Sequence, residues 1–385
     1  MREDKYIGIL GGYGLGGFET AKALIRTGSH PVLLAGRDLE KACAAVNALE
    51  SFAKGASAAA SRDAAAVRVD LWDDVALTDF CRQCCLVINC AGPSRSILDR
   101  VAKAALGAGI HYVDMGGDDV LYDLLHPLEG TIRKKGLSFI VSAGMYPGLS
   151  GLFPAYMAGA GFDRVDELAV YFISEGESLT ANAAYDVVAS IEDGFAQGMA
   201  GYQKHGGKKA GMAPAWVDLP FLGKRFMYPS INREMELLAT ETGMRAIRNF
   251  ISPGEAGMAQ LMAIRTASPD GFDRQKAAVS LIAASQKDMA GIPPRTLFYL
   301  TVEGRSGHAP KNEEAALFFQ GTSAGLMGIV AASTARLCLA KSCRPGRHFL
   351  FQGMDPASLM ALLSDAGVMP VEIEAAAPVM ESGAI

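Results

Sequence analysis

Short apolar runs alternate with longer amphipathic stretches through the first 145 positions. Tyr6–Leu10 is the first such run and reads as a strand buried on both faces. After it, Phe18–Arg26 places Ala21, Leu24 and Ile25 on one helical face. Pro31–Ala35 predicts the second strand and Leu39–Leu49 the second helix. Val67–Asp70, Leu86–Asn89, Ile110–Asp114 and Leu137–Ala143 predict further strands, with helices over Leu71–Arg82, Ile97–Gly109 and Val120–Lys135 between them. Beyond Gly151 the pattern changes. Glu167–Ile173, Arg295–Val302 and Ala315–Phe319 alternate with period two and carry β-branched or aromatic residues, while Leu179–Met199 and Gly257–Ala290 look helical. The fold class expected is α/β: a doubly wound parallel sheet over 1–145, then an α+β domain with a mostly antiparallel sheet over 146–340.

Between the first strand and the first helix stands Gly11-Gly12-Tyr13-Gly14-Leu15-Gly16-Gly17. Gly12, Gly14 and Gly17 fit G-x-G-x-x-G, and Gly11, Gly14 and Gly17 fit G-x-x-G-x-x-G equally well. In either register, glycines let the backbone approach a pyrophosphate, and the helix N-terminus presents free N–H groups to it. In its strand–turn–helix–strand context this is the fingerprint of a Rossmann-type dinucleotide site. Gly14 is expected at positive φ against the pyrophosphate, so that valine there would both strain the turn and block the ligand. The second strand ends in Ala35-Gly36-Arg37-Asp38, which puts Arg37 where an NAD site carries a carboxylate. Arg37 and Lys41 suit a 2′-phosphate, and Asp38 reads as the N-cap of the next helix rather than a ribose ligand. NADP is the expected cofactor. Strand ends in such sheets face the ligand, so Asp70 is placed near the adenine, and Asn89–Ser94, with Cys90, Ala91, Gly92 and Pro93, near the ribose and nicotinamide.

Composition narrows the class. The 385 residues suit two domains, and a formal charge of −5 gives no electrostatic case for nucleic acid. The most apolar long segment, Gly321–Ala340, contains Ser323, Ser333, Thr334 and Arg336, so it reads as a buried helix and no membrane contact is expected. With no leader pattern before the first strand, a cytoplasmic location is expected. The seven cysteines form neither a disulfide framework nor two ligand pairs, and Cys81, Cys84 and Cys85 read as small apolar residues, so no metal site is expected.

Gly11–Gly17, Ala35-Gly36-Arg37, Val87–Pro93, Gly109–Asp114 and Ala143–Gly151 together resemble the saccharopine dehydrogenase-like reductases. The resemblance covers the first 150 residues, thins through the middle and returns at Arg344-Pro345-Gly346 and Asp355–Ala366. It implies an NADP-dependent reductase, substrate closed between two domains, a homodimer, and a C-terminal segment, 341–385, packed back on the cofactor domain.

Reduction with NADPH needs a proton source and groups that orient the acceptor. Tyr146, in the turn after the cofactor sheet, is the first candidate donor, followed by Asp114 and His111, each also readable as structural. In the second domain, Gly201–Lys209 sets Lys204 and His205 among glycines, a grip for an anionic small molecule or carrier-bound substrate, although a solvated loop has the same composition. Arg233, with Arg245 and Arg248 as alternates, is a candidate carboxylate partner. Three readings follow: reduction of a C=N bond, reduction of a C=C bond on an acyl chain, or a non-catalytic NADP-binding sensor.

Overall fold

The structure, a computed structural model, describes residues 5–28, 30–55, 63–192, 197–204, 206–267, 272–373 and 381–382. The chain divides into two compact units: residues 1–149 with 324–366, and residues 150–323 with 367–385.

In the first unit, β1 (Tyr6–Leu10), β2 (Val32–Gly36), β3 (Ala64–Arg68), β4 (Cys84–Asn89), β5 (His111–Asp114) and β6 (Ser138–Val141) lie in one sheet. With the late strand Gly346–Phe349 at its edge, the sheet reads Gly346–Phe349, β6, β5, β4, β1, β2, β3, and every pair is parallel. The order reverses between β1 and β4, where Leu10 stands opposite Asn89 and Asn89 opposite Asp114. A doubly wound sheet opens its ligand crevice at the strand ends of such a reversal. Helices cover the sheet, so the central strands are apolar without alternation; Ile7, Ile9, Leu34, Val87 and Ile88 are fully buried. Helix α1 (Leu15–Thr27) buries Ala21, Leu24 and Ile25, the face read from the sequence.

Two expected helices are broken. Ile97–Gly109 resolves into Ser94–Ile97 and Arg100–Ala108, parted at Leu98, whose φ is 54°. Val120–Lys135 resolves into Asp119–Leu124, a 3₁₀ turn at His126–Leu128 and Glu129–Lys134, because Pro127 has no N–H to continue the ladder. The apolar segment expected at the end of the second domain, helix Ser323–Leu339, groups with the first unit from Ala324 onward. It sits so close to α1 that a Cβ on Gly328 would lie 2.6 Å from the Glu19 carbonyl carbon. The C-terminal return is therefore 324–366, not 341–385, and Pro370–Glu372 pairs instead with Ala315–Leu317 of the second unit. Arg347 anchors the returning strand. Its N–H donates to Glu129 Oε2 (2.8 Å), Nη1 donates to the Tyr122 carbonyl (2.6 Å), and its guanidinium lies 3.9 Å from the Tyr122 ring centroid.

The second unit is built on a mixed, mostly antiparallel sheet. Its centre is Ala309–Gln320, Arg295–Ser306, Arg164–Glu175, Ala246–Ile251, Gly223–Ile231 and Ala215–Leu219, in that order. Only the pairing of Arg164–Glu175 with Ala246–Ile251 is parallel among these neighbours. Tyr171 stacks between Phe250 (5.0 Å) and Tyr299 (5.6 Å) within one apolar cluster. Helices Ala181–Glu192, Glu255–Thr266 and Arg274–Met289 share a second cluster. The single helix expected over Gly257–Ala290 is thus two, the second capped by Asp273, which accepts from Gln275 N and Lys276 N. Likewise the helix expected over Leu179–Met199 stops at Glu192, and short strands follow at Gln197–Gly198 and Ala200–Gln203.

Candidate functional site

The glycine turn has three separable roles, and they fall in the Gly11-Gly14-Gly17 register. Gly11 has φ 72°, and a Cβ there would meet the Ala91 backbone nitrogen at 2.8 Å, so the turn needs glycine for conformation and for contact. Gly14 is the N-cap of α1 with φ −73°, ordinary for any residue; the positive φ expected there belongs to Gly11. Gly17 lies against the turn, where an added Cβ would be 2.3 Å from the Gly11 carbonyl oxygen. No side chain caps α1 and its first turn, opening with exposed Leu15 and then Gly16, carries no acid. That leaves its N–H groups and partial positive charge for an anion. Gly12 packs under Leu34, and Gly16 under Met115.

Tyr13 links this turn to the end of β2. Its ring lies on Gly36, where a Cβ would collide at 2.3 Å, and its hydroxyl accepts from Asp38 N at 3.3 Å. Asp38 caps helix α2 (Leu39–Gly55), accepting from Lys41 N (3.1 Å), and pairs with Lys41 Nζ (3.3 Å). Those contacts, the Lys41 N–H first, hold its carboxyl below the usual range. Arg37 is exposed beside them, and Arg68, at the end of β3, donates from Nε to the Arg37 carbonyl at 3.2 Å. Sequence reasoning passed over Arg68, because only the pairing of β3 with β2 brings it level with Gly36. Asp70 accepts from Trp72 N (3.0 Å) and shapes the turn after β3.

At the ends of β4 and β5 lies a buried polar network. Asp114, 2% exposed, accepts from Asn89 Nδ2 (2.9 Å), the Tyr112 hydroxyl, Gly116 N (3.0 Å) and Gly117 N. Burial raises its pKa, and the hydrogen bonds from Tyr112, Asn89 and the two glycines oppose the rise. Asn89 Oδ1 in turn accepts from Ala91 N (3.2 Å), which fixes the start of the Cys90-Ala91-Gly92-Pro93 segment. Burial pushes the Cys90 thiol up to about 12, which suits a packing role better than that of a thiolate. Arg95 follows, its side chain 3% exposed and paired with Asp118 at 2.7 Å. Asp118 caps Asp119–Leu124 through Val120 N (3.0 Å).

Tyr146 lies after the end of β6, half-buried, in the Met145–Leu149 segment. The same segment turns at Gly148, φ 130°, close over the Ser142 carbonyl. His111 sits elsewhere. It begins β5, whereas Asp114 ends it, so the two are about 10 Å apart along the strand. His111 Nδ1 accepts from Ser138 N at 3.1 Å, and burial, then Lys341, lowers its pKa. It is a neutral acceptor at the far edge of the sheet, away from the glycine turn.

In the second unit the expected anion grip is not assembled. Lys204 tips the hairpin of Ala200–Gln203 and Gly207–Ala210 and donates to the Gly243 carbonyl at 3.4 Å; His205 lies outside the described residues. Gly243 ends the helix that Arg233 begins, so Lys204 and Arg233 are about 15 Å apart. Arg245 and Arg248 both pair with Glu167. Among the described residues no cluster of three metal-ligating side chains occurs, and no helix is long and apolar enough to cross a membrane.

Residues 7–137 match the family model of the saccharopine dehydrogenase NADP-binding domain. Over those residues the chain is similar to that domain. The solved structure of saccharopine dehydrogenase (L-Glu forming) from Saccharomyces cerevisiae superposes with a TM-score of 0.65 at 14% identity, covering 96% of this chain and 100% of that one. At that identity the likeness is one of fold. Weaker likenesses, on which nothing below rests, are diaminopimelate (DAP) dehydrogenase of C. glutamicum (TM-score 0.46, 14% identity, 92% of this chain and 95% of that one) and an engineered D-amino acid dehydrogenase bound to NADP+ (0.46, 12%, 95% and 100%). The protein is an NADP-dependent oxidoreductase. Its residues fit the cofactor: the turn packs on α1 so closely that a Cβ at Gly17 would strike the Gly11 backbone, the α1 N-terminus is uncapped, and Arg37 stands exposed just after β2.

Proposed function

We propose that the protein reduces a C=N bond of an amino-acid-derived or secondary-metabolite imine with NADPH. The observation that carries this reading is the strand-end edge at the β1–β4 reversal. There the uncapped α1 terminus, the Asn89–Asp114 network and, beyond β6, Tyr146 all belong to the first unit. Bound NADPH supplies a hydride to the acceptor carbon. The chain must then orient the acceptor and deliver a proton to nitrogen. Asp114 is unsuited to that delivery, because its two oxygens already accept four hydrogen bonds and no solvent reaches it. Its part is to set the Gly116–Gly117 and Asn89–Ala91 backbones. The Tyr146 hydroxyl is the donor in this reading, on a segment whose course Gly148 fixes.

A second reading, reduction of a C=C bond on a carrier-bound acyl chain, is supported by the arginines of the second unit. Arg245 and Arg248 are held by Glu167, which leaves neither as a ready carboxylate clamp. The deciding experiment is NADPH oxidation followed spectrophotometrically across cyclic imines, keto-acid and amine pairs, and enoyl thioesters. Turnover on imines supports the proposal; turnover only on enoyl thioesters replaces it with the second reading, and NADPH consumption with either eliminates the sensor reading. In the imine reading Tyr146→Phe lowers kcat by about 10²-fold with NADPH affinity unchanged. A homodimer belongs to the same proposal and is checked by light scattering of the purified chain; a cytoplasmic location is checked by cell fractionation.

A further inference from the structure

The corner of the sheet beyond Gly36 gathers three cations, and their partners differ. Lys41 is paired with Asp38 at 3.3 Å. Arg37 and Arg68 have no carboxylate partner among the described residues. Yet they are not placed independently. β3 runs parallel to β2 with Arg68 opposite Gly36, and Val69 N donates to the Gly36 carbonyl at 2.9 Å. That register brings Arg68 level with the end of β2. There its Nε is taken by the Arg37 carbonyl at 3.2 Å, which orients the guanidinium and leaves both Nη groups for another acceptor. A planar fork with both Nη groups free matches phosphate oxygens, and the exposed Arg37 side chain leaves from the residue whose carbonyl holds it.

We propose that Arg68 is the second guanidinium of the 2′-phosphate site and sets how strongly NADP is preferred over NAD, with Arg37 as its partner. The inference rests on the NADP assignment and not on the identity of the acceptor. Arg37 supplies charge from a free side chain, whereas Arg68 supplies charge in a fixed orientation, because its Nε bond to backbone restricts the side chain before any ligand arrives. Arg68 is exposed and lies outside the glycine turn, so its replacement should leave the fold and the pyrophosphate cradle intact.

The test is calorimetric titration of the full chain with 2′,5′-ADP and with 5′-AMP, which differ only by the phosphate in question and need no turnover. The wild-type chain should bind 2′,5′-ADP more tightly. Arg68→Gln should weaken 2′,5′-ADP by about tenfold while 5′-AMP binding is unchanged. Arg68→Lys keeps the charge but not the Nε bond, so it should recover only part of the loss. Unchanged 2′,5′-ADP binding in Arg68→Gln overturns the proposal and leaves the NADP assignment standing. Equal weakening of both nucleotides also overturns it, since that marks a role in building the site. A wild-type chain indifferent to the 2′-phosphate overturns the NADP assignment and this inference together.

Discussion

Asp114→Asn separates a structural carboxylate from a catalytic one. The native side chain offers only acceptors, and all four donors around it point inward: Asn89 Nδ2, the Tyr112 hydroxyl, Gly116 N and Gly117 N. An asparagine that keeps its oxygen on the two glycine N–H groups turns its own NH₂ toward Asn89 and Tyr112. The tyrosine hydroxyl can rotate to accept, but the Asn89 amide cannot do so without giving up its bond to Ala91 N. At least one buried donor is left unsatisfied, which costs about 2 kcal/mol. For a domain of this size that is a fall of about 4–8 °C in Tm. Burial raises the folded pKa of Asp114, against the hydrogen bonds that lower it, so ionisation of this group opposes folding. Its contribution is therefore fullest below the ordinary carboxylate value of 3.8 and is lost as pH rises through the elevated folded value. The stability gap between wild type and Asp114→Asn should widen as the pH is lowered toward about 4. The assay is thermal unfolding by circular dichroism across pH, with NADPH oxidation measured well below the variant's Tm. Near-normal kcat in the folded variant is expected. An unchanged Tm together with a kcat lowered by 10²-fold or more would refute the argument and put Asp114 in the chemistry.

Three further outcomes test other parts of the site. Gly17→Ala should cost about 1–3 kcal/mol and abolish NADPH binding, because its Cβ meets the Gly11 carbonyl at 2.3 Å; Gly14→Val, at φ −73° with its Cβ 3.2 Å from the same carbonyl oxygen, should lose binding with a smaller fall in Tm, and retained NADPH affinity in either variant would show the turn misread. His111→Asn keeps an acceptor for Ser138 N and should leave kcat unchanged. Because the folded pKa of His111 is lowered, by burial first, wild type loses stability as pH falls below 6.5, and this variant should lose less over the same range in denaturant titrations. At pH 8, iodoacetamide should label exposed Cys43 well before Cys90, whose thiol sits at about 12; mass spectrometry showing equal rates would contradict that burial.

Most of the first unit was legible from sequence because its code is local. A parallel strand buried on both faces is a short apolar run, and the β1–turn–α1 fingerprint lies within a dozen consecutive residues. Arg37 after β2 could be read for the same reason, and so could the capping role of Asp38, which depends only on its own first turn. Helix breaks at Pro127 and Asp273 were in principle readable too, since proline and an N-cap aspartate act on adjacent residues.

What tertiary structure decided was everything that depends on which chain ends meet. His111 and Asp114 lie in one tetrapeptide, yet the parallel direction of β5 sends them to opposite edges of the sheet. Lys204 and Arg233 share a segment in sequence, and a helix holds them at its two ends. The apolar stretch 323–339 looked like the close of the second domain until Gly328 brought it against α1. Arg68 carries no local signal, because its place beside Arg37 comes from the pairing of β3 with β2 across about 30 positions of chain. Periodicity and turn chemistry report on neighbours in sequence; register, strand direction and unit membership are set by burial of surfaces far apart along the chain, and no local window contains both partners.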